Sequence, residues 1–149
     1  REQTPLDFTS YDAIVESGTL EVGDYAPAGL GHLCAVERKA MPDLVASLTR
    51  ERDRFERELR RARGLDSFAV VIEGSLGQVR RHEYRSQAQP HALLQSMCAF
   101  SVRYSVTWVW ADDPAGAAYF TFHFMRHFIR EAEARYKEIV KAHSVQGET

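Results

Sequence analysis

A chain of 149 residues argues for one domain. Hydrophobic residues at 44% and charged residues at 27% are ordinary for a globular protein, and no apolar run approaches the ~18 residues of a membrane span. The polar, acidic N-terminus carries no signal-peptide pattern, so a cytoplasmic location, alongside the nucleoid, is expected. The net charge of −2 excludes a protein that grips nucleic acid by overall charge, since such proteins are usually basic.

Residues 1–18 read as irregular, with Pro5, Asp7 and Gly18 as breakers. Thr19 to Asp24 reads as a strand, because Leu20 and Val22 alternate with Glu21 and Gly23. Pro27, Gly29 and Gly31 make a turn-rich loop, and His32 to Lys39 forms a second strand that closes a hairpin. Pro42 suits the first turn of a helix running to about Arg63, with Leu44, Val45, Leu48, Phe55, Leu59 and Ala62 as its apolar stripe. Gly64 ends it.

Phe68 to Ile72 is an apolar, β-branched run, which predicts a strand buried on both faces. Gly74 to Gln89 reads mostly as loop. Pro90 opens a helix with Leu93, Leu94, Met97, Ser101 and Tyr104 on one side, and Val106 to Ala111 is a last strand. Asp113-Pro114 starts a final helix that continues to about Lys141, followed by a polar tail over 142–149. The order β-β-α-β-α-β-α predicts an α/β domain over 1–141: a mixed central sheet flanked by helices, with right-handed parallel crossovers. Cys34 and Cys98 both sit in apolar contexts and are expected to be buried, reduced thiols.

The chemistry concentrates in one segment: Gly23-Asp24, then Glu37-Arg38-Lys39, then Asp43. Side chains alternate along a strand, so Glu37 and Lys39 share one face and Arg38 takes the other. A hairpin brings Asp24 beside Glu37. Two carboxylates at close range repel, and either a proton or a cation must sit between them. Oxygen donors suit Mg²⁺ or Mn²⁺, with the Arg38 carbonyl as a natural third ligand. Lys39 would then orient an attacking water and offset charge growing on a phosphodiester. Taken singly, Asp24 is an ordinary turn residue and Asp43 a first-turn acid favoured by the helix dipole. Their joint register carries the weight.

That register resembles the XPF-type nuclease family of the PD-(D/E)xK superfamily, whose signature is Gly-Asp, then Glu-Arg-Lys, three residues and Asp. Further similar stretches are Arg1 to Pro5, Asp43 to Leu59, Val70 to Gly74, Tyr84-Arg85-Ser86 and Ser101 to Tyr104, in the manner of bacterial or phage members. The resemblance implies a restriction-endonuclease-like fold and Mg²⁺- or Mn²⁺-dependent cleavage of DNA. Asp24 and Glu37 would ligate metal, Lys39 would assist the nucleophile, and Arg38 and Asp43 would support the site. Arg1 and Glu2 match the end of the family's Asp-x-Arg-Glu element, so its Asp and a first strand are expected upstream. Relatives dimerise, which implies a homodimer. Eukaryotic and archaeal relatives add a helix-hairpin-helix module or a helicase, neither within this sequence, so a preference for branched DNA does not transfer with the domain. A catalytically silent DNA-binding or protein-interaction scaffold of the same fold is the alternative, against which the intact Asp24, Glu37 and Lys39 argue.

Glu73, ending a buried strand, is either an outer acid of the site or structural, and the structural role is favoured. The arginine-rich helix 50–63 is interleaved with acids and reads as self-paired, through Asp53 with Arg57 and Glu56 with Arg60. Arg80, Arg81, His82 and Arg85 have fewer acids nearby, so that loop is the expected DNA contact, with Tyr84 placed to stack on a base. His123 and His127 stand four apart on the last helix, but no acid lies between them and phenylalanines surround them, which predicts packing rather than metal binding.

Overall fold

The structure is a computed structural model that describes residues 4–147, with side chains described as far as His143. The ordered elements begin at β1 (Cys34–Ala40), followed by α1 (Met41–Leu48), α2 (Arg52–Ala62), β2 (Ser67–Glu73), α3 (Leu76–Arg80), α4 (Pro90–Tyr104), β3 (Thr107–Trp110) and α5 (Pro114–Gly147). The expected α/β architecture holds: a central sheet in the order β1-β2-β3, covered by helices on both faces.

β2 lies between its neighbours, paired parallel to both, with Glu37 opposite Val70, Lys39 opposite Ile72 and Ile72 opposite Trp110. Its central residues Ala69 to Ile72 have no exposed surface, which explains a run without polar alternation. One face carries Val70 and Ile72 into a core with Leu44, Leu48, Phe55 and Leu59 of α1 and α2 and Met97 and Phe100 of α4. The other carries Val36 and Val71 against Leu6, Phe8 and the first turns of α5.

Four expectations change. Thr19 to Asp24 is not a strand; the antiparallel component of the sheet is the single bridge between Tyr25 and Val36. Gly23 is the reason. Its backbone is left-handed at φ 77°, and a Cβ there would stand 3.0 Å from the Val36 carbonyl oxygen. The chain therefore arrives at β1 bent rather than extended.

The helix expected from Pro42 to Arg63 is two. The amides of Thr49 and Glu51 both donate to the Ala46 carbonyl, and the Thr49 hydroxyl donates back to Val45, so the α-helical ladder stops there. α2 restarts at Arg52 with Phe55 and Leu59 still facing the core.

The stretch expected as loop contains α3, closed by a reciprocal capping box between Ser75 and Gln78. Cys98 is exposed while Cys34 is buried. The buried stripe of α4 runs Leu93, Met97, Phe100, Tyr104, and Cys98 falls beside it.

Asp113 caps α5 as expected, its carboxylate accepting the Gly116 amide at 2.7 Å. α5 extends past Lys141 to Gly147, and every side chain from Arg130 to His143 is exposed.

Candidate active site

β1 is the strand from which the site is built. At the bridge, the Tyr25 amide donates to the Val36 carbonyl at 3.0 Å and the Val36 amide donates back at 2.8 Å. Two residues further along β1, the Arg38 amide points the same way, and among the described residues no strand receives it. The Asp24 carboxylate takes it instead, at 2.8 Å. Asp24 is fixed at both ends, since its own amide donates to the Val36 carbonyl at 2.8 Å. A side chain thus stands where a neighbouring strand's carbonyl would.

Glu37 and Lys39 share the face toward α1 and α2, as the strand period requires. The Lys39 ammonium lies 3.5 Å from the Glu37 carboxylate and 4.9 Å from the centre of the Phe55 ring. Lys39 is buried and the Glu37 side chain is 19% exposed. Burial and then the Asp24 charge push the Glu37 carboxyl up to about 7, against a smaller opposing pull from Lys39, with a lesser upward push from Glu58. Asp24 and Glu37 line the same two adjoining cavities.

Arg38 points to the opposite face. Its guanidinium donates to Glu73 at 2.9 Å and to the Thr4 carbonyl, and both charged side chains are nearly buried. Glu73 is absent from the cleft lining, which Arg38 reaches. Its contact with Arg38 ties the end of β1 to the end of β2.

Residues 1–124 match the ERCC4 domain family. The chain belongs to that family, the family of XPF-type nuclease domains. Among solved structures, the chain is similar to XPF from Aeropyrum pernix, with a TM-score of 0.61 and 22% identity over 85% of this chain. It is similar also to XPF from Aeropyrum pernix in complex with DNA, with a TM-score of 0.58 and 26% identity over 75% of this chain. The chain spans 60% and 52% of those two proteins. No curated protein matches it by sequence.

For an ERCC4 domain the carboxylate pair raises the question of a cation. Among the described residues no group of three or more His, Cys, Asp or Glu side chains could cage a metal ion. The donors present are two carboxylates, one of them raised to about 7 by burial first and by the charge of the other second. That set fits an ion such as Mg²⁺ or Mn²⁺, which keeps several waters and takes few protein oxygens. It does not fit a closed zinc site.

Asp43, in the first turn of α1, lines the same cleft as Asp24, Glu37 and Lys39. Arg1 and Glu2 lie outside the described residues. The basic loop stands elsewhere: neither Arg80, Arg81, Tyr84 nor Arg85 lines either cavity. Arg81 is engaged by Glu83 at 2.7 Å. Tyr84 stacks on His82, and its hydroxyl donates to the Ala88 carbonyl at 2.6 Å. His123 packs on Tyr119 and Tyr11, and His127 is exposed.

Sequence reasoning missed two residues of the site. Phe55 lies under Lys39, and Glu58 stands at both cavities. Both come from α2, whose direction is set by the break at Thr49 to Glu51, and nothing in the local sequence announces that break. The expected α2 pairs also give way: Glu56 turns to Arg52 and to Arg103 of α4, and its carboxylate accepts the Tyr104 hydroxyl.

Proposed function

We propose that this ERCC4 domain is a divalent-metal-dependent endonuclease that hydrolyses DNA phosphodiester bonds, at branched sites or single-strand/duplex junctions. One observation carries the reading: a desolvated carboxyl, a second carboxylate and a buried ammonium converge on one cleft at the end of β1. A core pair of that kind is destabilising on its own, and phosphodiester hydrolysis is a use for it. The ERCC4 family match supports DNA cleavage, and the similar XPF in complex with DNA supports DNA as the partner.

Asp24 and Glu37 would hold the ion, with the Arg38 carbonyl as a main-chain donor. When bound, Mg²⁺ or Mn²⁺ lowers the pKa of a water and polarises the phosphodiester. The chain's own groups do the rest. The Arg38 amide and the bend at Gly23 keep the Asp24 carboxylate aimed into the cleft. Glu37 must shed its proton to take the ion, so at limiting metal concentration activity should rise with pH through about 7. Lys39, locked against Phe55, presents a cation to the oxygens of the reacting phosphate and positions the water. Removing one such preorganised electrostatic contact commonly costs about 3–4 kcal/mol of transition-state stabilisation.

The partner in assembly is proposed to be a second copy of the chain. Tyr119 and Phe120 of α5 are about half exposed, and Tyr136, Ile139 and Val140 further along are exposed as well.

The test is cleavage of plasmid and of forked oligonucleotides in Mg²⁺, Mn²⁺ and EDTA. Nicking is expected with either metal, abolished by EDTA and by Glu37→Gln, and strongly reduced by Lys39→Ala. DNA binding without cutting under every metal would favour the silent scaffold.

A further inference from the structure

The acid cleft has two unlike walls. On one side runs the chain from Ala13 to Glu21, whose charged cleft residues are Glu16 and Glu21. On the other stands the α1–α2 segment, which contributes Arg50 and Arg54, interleaved with Asp43, Glu51 and Glu58, to the main cavity, and Arg54 and Arg61 beside Glu58 to the adjoining one. Asp24, Glu37 and Glu58 line both cavities. Apart from Arg38 and Lys39 of β1, every arginine or lysine lining the two cavities comes from this second segment, so cationic contacts to a polyanion outside the acid centre must come from it.

The three arginines differ in how they are held. Arg50 and Arg61 are exposed and make no ion pair among the described residues. Arg54 is 69% exposed and is shared between Glu51 at 3.3 Å and Glu58 at 3.7 Å. Only the contact to Glu51 is short enough to be a hydrogen bond. A guanidinium has five N–H donors in a planar fork, so Arg54 keeps most of them for a ligand. The two carboxylates hold its stem along the helix, and such exposed pairs are weak enough to yield to a phosphate. Arg54 and Arg61 are two helical turns apart, about 10 Å along α2, so the row can follow a strand rather than grip a single phosphate.

We infer that Arg50, Arg54 and Arg61 form the track that carries the phosphodiester backbone of a DNA strand past Asp24 and Glu37. This rests on the endonuclease reading and deepens it. It assigns backbone contact to the arginine face of α2, in place of Arg80, Arg81 and Arg85, which stand away from both cavities. It would also give a chain of net charge −2 a local row of guanidinium groups for nucleic acid beside the acid centre.

The experiment is fluorescence anisotropy of a labelled forked oligonucleotide with the full chain in EDTA, over a range of salt. The wild type is compared with R50Q/R54Q/R61Q and with R80Q/R81Q/R85Q, each checked for folding by thermal melting. Each phosphate contact contributes roughly 0.7–0.9 to the slope of log affinity on log salt. The α2 triple variant is expected to have a slope shallower by about 2 and affinity at least tenfold weaker at low salt, with the loop variant close to wild type. A wild-type slope in the α2 variant, or an equal loss in the loop variant, overturns the inference. If the wild type still cuts DNA, that result leaves the endonuclease reading standing. A wild type that neither binds nor cuts removes both.

Discussion

Replacing Glu37 by Gln should flatten the dependence of folding stability on pH. The Glu37 carboxyl is raised from 4.5 to about 7 in the folded chain. Each pH unit between those values corresponds to about 1.4 kcal/mol, so the full interval is worth about 3 kcal/mol. The folded state binds the proton more tightly than the unfolded one. Stability from this group is therefore complete below pH 4.5, falls as pH rises, and is gone above about 7. Most of the fall lies between pH 5 and pH 8. Glu37→Gln removes the titration, and with it the charge pairing with Lys39, which is already part of the Glu37 shift. Urea unfolding at pH 5, 6, 7 and 8 in EDTA reads the slope directly. The wild type should lose about 2–3 kcal/mol more than the variant across the series. Parallel curves would refute the claim that Glu37 is desolvated beside Asp24.

The other predictions use different parts of the molecule. Lys39→Ala should lower the cleavage rate by about 10²–10³-fold while the chain stays folded, measured on a forked oligonucleotide. Gly23→Ala should destabilise by about 1–3 kcal/mol, because it combines a left-handed backbone with a 3.0 Å approach to the Val36 carbonyl. Gly29→Ala, at φ 76° with nothing within 4 Å, should cost less in the same urea assay. Arg38→Met should cost about 3–5 kcal/mol, because it leaves Glu73 nearly buried without its partner, and Arg38→Met/Glu73→Leu should recover part of that. A thiol reagent at pH 8 should label the native chain once, at exposed Cys98. Buried Cys34, whose thiol is pushed up to about 11 by burial, should react only on unfolding.

Features set by local chemistry were legible in the sequence. The shared face of Glu37 and Lys39 follows from the strand period, the start of α5 from Asp113-Pro114, and the buried β2 from its unbroken apolar run. The capping box Ser75-x-x-Gln78 was equally readable, but the five-residue helix it starts is too short to show an apolar period. What sequence could not supply is set by tertiary geometry. Leu20 and Val22 alternate like a strand, but the bend at Gly23 denies them a partner. No glycine or proline marks the break between α1 and α2, so the placement of Phe55, Glu58 and Arg54 at the cleft was hidden. The Arg38–Glu73 pair joins residues 35 positions apart, and only the parallel pairing of β1 with β2 brings them together.

The claim on which the rest depends is that Asp24 and Glu37 are a divalent-ion site held ready at the end of β1. Calorimetric titration of Mn²⁺ into the protein at pH 6, in buffers of different ionisation enthalpy, measures both affinity and protons released. Saturable binding with release of close to one proton per ion is expected, since Glu37 is mostly protonated at that pH, and binding should be lost in both Asp24→Asn and Glu37→Gln. Binding that survives both substitutions, or no binding by the wild type, would contradict the account.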